Sequence, residues 1–200
     1  KILDADKSIK AVFATHSETS TGTNADIEGI GKVVKDFPAI LIVDAVSGLA
    51  VQDLQTDNWH VDVVCSASHK GLMLSPGVAF VSVSPKADAL LATSTTPKYY
   101  FDLRKYKKAW TQVDTPFTPA IGVVIALAES LKMIKENGLD NMLASYARLA
   151  KGTRAAALAL GLSLFADDSA ISNVLTAIRM PDNIDGDKVL KIMRDTHGIS

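Results

Sequence analysis

The sequence predicts an α/β fold in which helices flank a mostly parallel β-sheet. Four short runs in the first half of the 200-residue chain are continuously apolar, which is typical of strands buried on both faces of such a sheet. A stretch with helical spacing separates the first two runs, and long helical stretches dominate the second half. Together these observations predict a β-α-β unit followed by a helical region.

The four apolar runs are the predicted strands. They cover residues 10–15, 39–43, 61–67 and 78–83. Between the first two strands, residues 26–37 carry apolar side chains at helical spacing, and Pro38 ends that pattern. A helix there supplies the crossover connection that two neighbouring parallel strands require.

The second half of the chain is predicted to be mainly helical. Thr118 is a candidate N-cap with Pro119 at the first helical position, and Gly138 is a suitable terminator for that helix. The remaining predicted elements are a helix over residues 139–160, a strand over 173–180 and a helix over 186–196. A domain boundary is expected in or after the helix that begins at Pro119.

Composition and charge exclude several classes of protein. Lys and Arg total 21 against 22 Asp and Glu, and this balance without a basic cluster argues against nucleic-acid binding. No apolar run approaches the roughly 18 residues of a membrane helix, so no membrane association is expected. The single cysteine, Cys65, excludes a disulfide framework and a multi-cysteine zinc site, and its apolar surroundings favour buried packing. No metal site is predicted.

Polar segments follow three of the predicted strands. They are residues 16–22, which are rich in hydroxyl groups, residues 44–47, which begin with Asp44, and residues 66–71, which contain Lys70. The carboxyl ends of parallel strands meet at one edge of a sheet, and ligands of open α/β folds bind at that edge. Hydroxyl groups, a carboxylate and a lysine are therefore expected together there.

Each of these segments also has a purely structural interpretation. Lys70 could be a solvated surface residue, Asp44 a turn or helix cap, and the hydroxyl-rich segment a local turn. A nucleophile built from Cys65 and either His16 or His69 is possible in composition only. The sequence contains no P-loop, no HExxH or GxSxG motif and no GxGxxG motif, so phosphate-loop hydrolase, zinc protease, serine hydrolase and dinucleotide-binding functions have no support.

Considered together, the segments resemble the class V aminotransferases that use pyridoxal 5′-phosphate, and especially their alanine–glyoxylate and serine–pyruvate branch. The matching strings are THSETSTG at 15–22, IVDAVS at 42–47, SASHKGL at 66–72, SPG at 75–77, YYFD at 99–102 and TPFTP at 115–119. The resemblance covers essentially the whole chain. It implies a fold-type I pyridoxal-phosphate-dependent transferase.

The resemblance also implies how the chain is organised. Residues 1–125 would form part of the large cofactor-binding domain, and residues 126–200 the linking helix and an incomplete, smaller α+β C-terminal domain. Members of the family are much longer, with a glycine-rich phosphate loop and a ring-stacking aromatic before this region. The arginine that binds the substrate carboxylate comes after it, and neither Arg179 nor Arg194 lies in the matching motif.

The resemblance implies two catalytic assignments. Lys70 would form a Schiff base with the cofactor aldehyde and, once released, move a proton between the substrate Cα and the cofactor. A reactive lysine must be partly neutral, so desolvated surroundings are expected for it. Asp44 would pair with the pyridine nitrogen and keep it protonated, so that the ring can accept electrons.

The resemblance implies further contacts with the cofactor. Val46 would pack on one face of the ring, Thr19 would lie at the cofactor, and His69 would contact its phosphate. Thr118 would reach the phosphate held by the neighbouring subunit, which implies a homodimer. His16 belongs to the motif, but the resemblance implies no firm role for it.

The expected function is therefore transamination from a small amino acid, alanine or serine, to a 2-oxo acid, glyoxylate or pyruvate. One alternative is a cysteine desulfurase or another lyase that uses the same cofactor. A desulfurase needs a mobile cysteine, and Cys65, inside a predicted strand, is a poor substitute. The other alternative is a non-catalytic scaffold subunit, which would have no need of both Lys70 and Asp44.

Overall fold

The computed structural model describes residues 1–199, and Ser200 lies outside them. In chain order the elements are α1 (Ile2–Ala5), β1 (Ala11–Thr15), β2 (Ser17–Glu18), β3 (Thr23–Asn24), α2 (Ile27–Val34), β4 (Ile40–Asp44), β5 (Val63–Ala67), β6 (Ala79–Val83), α3 (Pro85–Thr93), α4 (Leu103–Trp110), α5 (Ile121–Asn137), α6 (Leu139–Ala159), a 3-10 turn (Asp168–Ala170) and α7 (Gly186–His197). All four strands predicted in the first half are therefore present.

The main sheet has the strand order β1-β4-β5-β6. β1 is parallel to β4 and β4 is parallel to β5, whereas β6 is antiparallel to β5. This topology confirms the predicted mostly parallel sheet. β2 and β3 form a separate two-stranded hairpin at the end of β1.

Helix α2 is the predicted crossover between β1 and β4. The side chain of Asp26 caps it by accepting a hydrogen bond from the amide of Gly29 at 2.8 Å. The helix ends at Val34 instead of residue 37, because the residues before Pro38 form a turn in which the Phe37 amide bonds to the Val34 carbonyl. Ile27 and Val34 are buried against the central strands in the hydrophobic core.

The prediction that the strands are buried on both faces is wrong. On the face covered by α2, Leu41 and Val43 of β4 are completely buried. On the opposite face, Phe13 of β1 is 75% exposed, and Cys65 of β5 is only half-buried and not in the core. A single crossover helix covers one side of the sheet, and that arrangement accounts for the difference.

The helical half agrees with the prediction except at its start. Gly138, at φ 80°, separates α5 from α6 as expected. Thr118 is not the N-cap of α5, however, and Pro119 is not its first residue: the N-cap is Ala120, without a side-chain hydrogen bond. Backbone carbonyls accept the first amides instead, since the Ile121 amide bonds to the carbonyl of Pro119.

The predicted strand over residues 173–180 is also wrong. This segment makes separate backbone hydrogen bonds with residues 163–165, from the Phe165 amide to Ala177 and from the Arg179 amide to Ser163. A single isolated bridge between Leu164 and Ile178 is too little pairing to form a strand. The helix predicted over 186–196 is confirmed as α7.

Helices α3 and α4 were not predicted from the sequence. Each has a side-chain cap: Ser84 accepts a hydrogen bond from the amide of Ala87, and Asp102 accepts one from the amide of Arg104. The predicted boundary between residues 1–125 and 126–200 falls inside α5 and stays a prediction. No helix within residues 1–199 is both long enough and apolar enough to cross a membrane.

Candidate active site

Three polar segments meet at the carboxyl edge of the sheet, as predicted. Residues 16–24 follow β1, Asp44 is the last residue of β4, and the turn that contains Lys70 follows β5. The register places Thr15 beside Asp44 and Asp44 beside Cys65. Because β1, β4 and β5 run parallel, these segments all leave the sheet at the carboxyl ends of its strands.

Asp44 offers a carboxylate oxygen to a ligand. Its Oδ1 accepts a hydrogen bond from the amide of Val46 at 2.9 Å, which turns the chain away from the strand. Within residues 1–199 its Oδ2 accepts no hydrogen bond, and the side chain is exposed. The carboxylate is therefore oriented by its own loop while one oxygen remains available.

A cavity of about 430 Å³ opens beside this carboxylate. Its lining residues are Phe13, Ala14, Thr15, Ile42, Asp44, Val46 and Cys65. This volume lies in the range of small-molecule sites, which are mostly apolar with a few placed polar groups. Burial, and secondarily the charge of Asp44, raise the pKa of the Cys65 thiol, so Cys65 is not an activated nucleophile.

Thr19 lies next to the loop that follows Asp44. Its Oγ1 is 2.8 Å from Oγ of Ser47, so a hydrogen bond joins the segment after β1 to the segment after β4. Ser47 was part of the predicted 44–47 segment, but no role was predicted for it. The two hydroxyl groups form a pair that could bind an anionic group.

Two hydrogen bonds from serine side chains fix the backbone around the turn that contains Lys70. Completely buried Ser68 donates its hydroxyl to the Ser75 carbonyl at 2.7 Å, and Ser130 of α5 donates to the Leu72 carbonyl at 2.6 Å. A Cβ on Gly71 would lie 2.1 Å from the Leu49 carbonyl oxygen, so the turn is in close contact with the loop after Asp44. Only glycine allows this approach.

The side chains of Lys70 and His69 themselves are exposed. The desolvated surroundings expected for the lysine are therefore absent from residues 1–199. The reason is that no element within residues 1–199 covers the Lys70 side chain enough to bury it. The amine remains free to reach a bound molecule.

Thr118 belongs to the segment just before α5. Its side chain is exposed, two residues before α5, and makes no hydrogen bond to the other predicted site residues within the described part of the chain. Its predicted role in a neighbouring subunit stays a prediction.

His16 supports the site from inside the protein. The side chain is 2% exposed, and its Nδ1 has no hydrogen-bond partner among the described residues. A Cβ on Gly48 would lie 2.4 Å from that nitrogen, so the imidazole packs directly against the loop that follows Asp44. Burial lowers the pKa of His16, although the backbone and charge of Asp53 oppose this effect. A neutral, buried imidazole therefore fills the space beneath the loop.

Sequence and structure comparisons place this chain among known proteins. A family model described as Aminotransferase class-V matches residues 3–200. The chain is 44% identical over 198 residues to the soluble hydrogenase 42 kDa subunit of Anabaena cylindrica, a match that covers 98% of this chain and 51% of that protein. It is 38% identical to the serine–glyoxylate aminotransferase of Arabidopsis thaliana, covering 94% of this chain and 48% of that protein.

The chain belongs to the class V aminotransferase family. Its structure matches that of an alanine–glyoxylate aminotransferase from Nostoc sp. with a TM-score of 0.93 and 29% identity, over 100% of this chain and 53% of that one. The predicted family and fold type I are thereby confirmed, and the family depends on pyridoxal phosphate. The chain spans about half the length of these relatives.

The residues at the carboxyl edge fit this cofactor chemically. Asp44 has a free oxygen for a protonated ring nitrogen, Lys70 has an exposed amine for an aldehyde, and the Thr19–Ser47 pair offers hydroxyl groups. Among residues 1–199 no group of three or more His, Cys, Asp or Glu side chains could hold a metal ion.

Proposed function

We propose that this protein is a pyridoxal-phosphate-dependent transaminase that moves an amino group from a small amino acid to a 2-oxo acid. The observation that carries the proposal is the parallel pairing of β4 and β5, which brings Asp44 and the Lys70 turn to one edge of the sheet. Both side chains are exposed, so neither of them packs in the hydrophobic core and both can reach a ligand.

Lys70 is proposed to bind the cofactor covalently and to act as the acid and base of the reaction. Its Nζ takes the proton from the substrate Cα and later returns a proton to the product. The exposed side chain on a fixed turn suits this role, because the amine must reach more than one atom.

Asp44 is proposed to pair with the ring nitrogen. When bound, the cofactor supplies an electron-accepting ring that stabilises negative charge at the substrate Cα. Asp44 favours this by keeping the nitrogen protonated, and the Val46 amide keeps the carboxylate in place.

Other residues are proposed to hold the cofactor. Val46 packs on the ring, Thr19 binds the cofactor with Ser47 beside it, and His69 contacts the phosphate. Thr118 is proposed to reach the phosphate of a neighbouring subunit, which makes the active protein a homodimer. Its exposed position before α5 is compatible with this role.

Alanine or serine as donor and glyoxylate or pyruvate as acceptor are the proposed substrates. Two of the relatives above are named as serine–glyoxylate and alanine–glyoxylate aminotransferases, and those names support glyoxylate as the acceptor. The name of the third describes a hydrogenase subunit and supports no substrate. A desulfurase is disfavoured because Cys65 lies within β5 and has a raised pKa.

The test uses the full-length subunit incubated with pyridoxal phosphate. We expect a visible absorbance band, and after borohydride reduction we expect the cofactor mass on the peptide that contains Lys70. The Lys70→Ala variant should lose both, whereas Lys151→Ala, at an exposed position of α6, should keep both. Pyruvate should form from alanine and glyoxylate with the wild type and with Lys151→Ala, but not with Lys70→Ala.

Two results would contradict the proposal. A wild-type protein that gains neither the band nor the mass is not a pyridoxal-phosphate enzyme. Release of sulfide from cysteine without amino transfer from alanine would replace the transaminase by a lyase.

A further inference from the structure

Three buried polar side chains and one half-buried one are hydrogen-bonded to one another close in the chain to the Thr19–Ser47 pair. This set, here called the Gln52 network, consists of Ser17, Asn24, Gln52 and Ser172. Gln52 is 8% exposed, and its side-chain amide joins three parts of the chain. Its Nε2 donates to Oδ1 of Asn24, and its Oε1 accepts from the Asn173 amide at 2.6 Å and from the Ser172 hydroxyl at 3.0 Å.

The direction of every hydrogen bond in this network is determined. The Asn173 amide can only donate, so the atom of Gln52 that faces it is the oxygen. Ser172 uses its single hydroxyl proton on that oxygen. Oγ of Ser17, 2.7 Å from Oγ of Ser172, must therefore be the donor to it.

Both ends of the Gln52 network lie on the hairpin formed by β2 and β3. Ser17 and Asn24, its two ends, are directly paired across that hairpin. The Ser172 amide also donates to the Gly22 carbonyl at 2.9 Å, which adds a third attachment. The hairpin that carries Thr19 is thus fixed at its base by Ser172, 155 residues after Ser17, and by Gln52, 28 residues after Asn24.

The same network is attached to the two other parts of the site region. Gln52 lies on the loop that begins at Asp44 and includes Ser47, the partner of Thr19. Arg154 of α6 donates to the Ser172 carbonyl at 3.1 Å and to Oδ1 of Asn173 at 3.3 Å. The segment after α6 is therefore held in place on its other side.

We propose that Gln52 and Ser172 are positioning residues that set the place of Thr19 in the cofactor site. This inference rests on the proposed function, because Thr19 is the group through which they act. The network fixes the base of the hairpin, and the Thr19–Ser47 bond fixes its tip. Residues of the C-terminal half thereby contribute to cofactor binding without touching the cofactor.

A double-mutant cycle on the full-length subunit tests this inference. We expect Gln52→Leu to weaken pyridoxal phosphate affinity by about tenfold, because it leaves buried polar partners unpaired. Thr19→Val should weaken it as well, and the double variant should lose little more than Gln52→Leu alone, since the two substitutions act on one contact. The exposed Gln55→Leu is the matched control, and it should leave affinity unchanged in either background.

Ser172→Ala provides a milder variant in case Gln52→Leu does not fold. It should also weaken cofactor affinity and be non-additive with Thr19→Val, whereas Ser169→Ala, at an exposed position, should do neither. Fully additive losses, or an unchanged affinity in both network variants, would overturn the inference.

Amide hydrogen exchange without cofactor gives a second readout. The Gly22 amide, bonded to the Glu18 carbonyl at 2.9 Å, should exchange faster in Ser172→Ala than in the wild type, beyond any change in global unfolding measured in urea. Unchanged exchange would show that the network does not hold the hairpin. If the wild type binds no cofactor, the proposed function fails, and exchange alone then decides whether the network fixes the hairpin.

Discussion

The Asp44 side and the Lys70 side of the candidate site differ in how their side chains are held. Around Asp44, side chains bond to one another across the chain, as Thr19 does to Ser47 and Ser17 to Ser172. Around Lys70, the hydrogen bonds fix the backbone, through Ser68 and Ser130, and leave the amine free. The Asp44 side is therefore the rigid side, and the Lys70 side chain keeps its rotamer freedom. The proposed roles, in which one side orients a ring and the other moves a proton, would use this difference.

The largest expected effect comes from removing the charge on the rigid side. Asp44→Asn keeps the shape and the hydrogen bond from the Val46 amide but loses the carboxylate. We expect the rate of amino transfer to fall by about 100-fold or more, while cofactor is still bound, because electrostatic stabilisation of this kind is worth about 10²–10³ in rate. The measurement is kcat with alanine and glyoxylate, together with the visible spectrum.

Asp57→Asn, at an exposed position outside the site, is the control for this experiment and should keep the wild-type rate. An Asp44→Asn enzyme with the wild-type rate would mean that the carboxylate is not paired with the ring nitrogen.

A smaller effect is expected from overfilling the space beneath the Asp44 loop. Gly48→Ala places a Cβ 2.4 Å from Nδ1 of His16, so one of the two must move. We expect the free energy of unfolding to fall by about 1–3 kcal/mol, the usual cost of overpacking a filled interior. Adding His16→Ala should recover part of this loss, because the opposing ring is gone. Urea unfolding measures both effects.

Gly122→Ala is the matched control for this comparison. Gly122 lies in the first turn of α5, and a Cβ there meets nothing within 4 Å, so alanine should stabilise the protein by about 0.4–1 kcal/mol. A destabilisation of the same size at both glycines would show that the contact with His16 is not the cause.

The sequence was sufficient for those features that depend on local pattern and parallel topology. Apolar runs predict the four strands, and the rule that parallel strands end at one edge places the segments of Asp44 and Lys70 at the same edge, where the structure has them. Gly138 ended its helix as expected, because a positive φ is a property of the residue itself.

The failures arise where hydrogen-bonding groups take partners other than the ones that the local pattern favours. The strand predicted over 173–180 has suitable residues, but Asn173 and Ser172 use their hydrogen-bonding groups on Gln52, 120 or 121 residues away, and not on a neighbouring strand. Thr118 is a good cap by residue type, yet the carbonyl of Pro119 accepts the amide first. Serine and glutamine are too common for a distant bond between them to be visible in one sequence.

The smallest expected effect is a pH dependence of stability that comes from His16 on the rigid side. Burial lowers the pKa of His16 below its ordinary value of 6.5, so the unfolded chain binds a proton more readily than the folded one. The contribution of His16 to the free energy of unfolding is complete above pH 6.5. It decreases as the pH falls from 6.5 towards the pKa of His16 in the folded protein. The slope should reach at most about 1.4 kcal/mol per pH unit.

The His16→Gln variant isolates this contribution. Its free energy of unfolding should lose the part of the pH dependence between neutral pH and the folded-state pKa of His16, while the carboxylates with lowered pKa, such as Glu18, still act at more acidic pH. Urea unfolding of both proteins at several pH values gives the difference curve. A flat difference would mean that His16 is protonated equally in both states, and the neutral imidazole beneath the Asp44 loop would then be wrong.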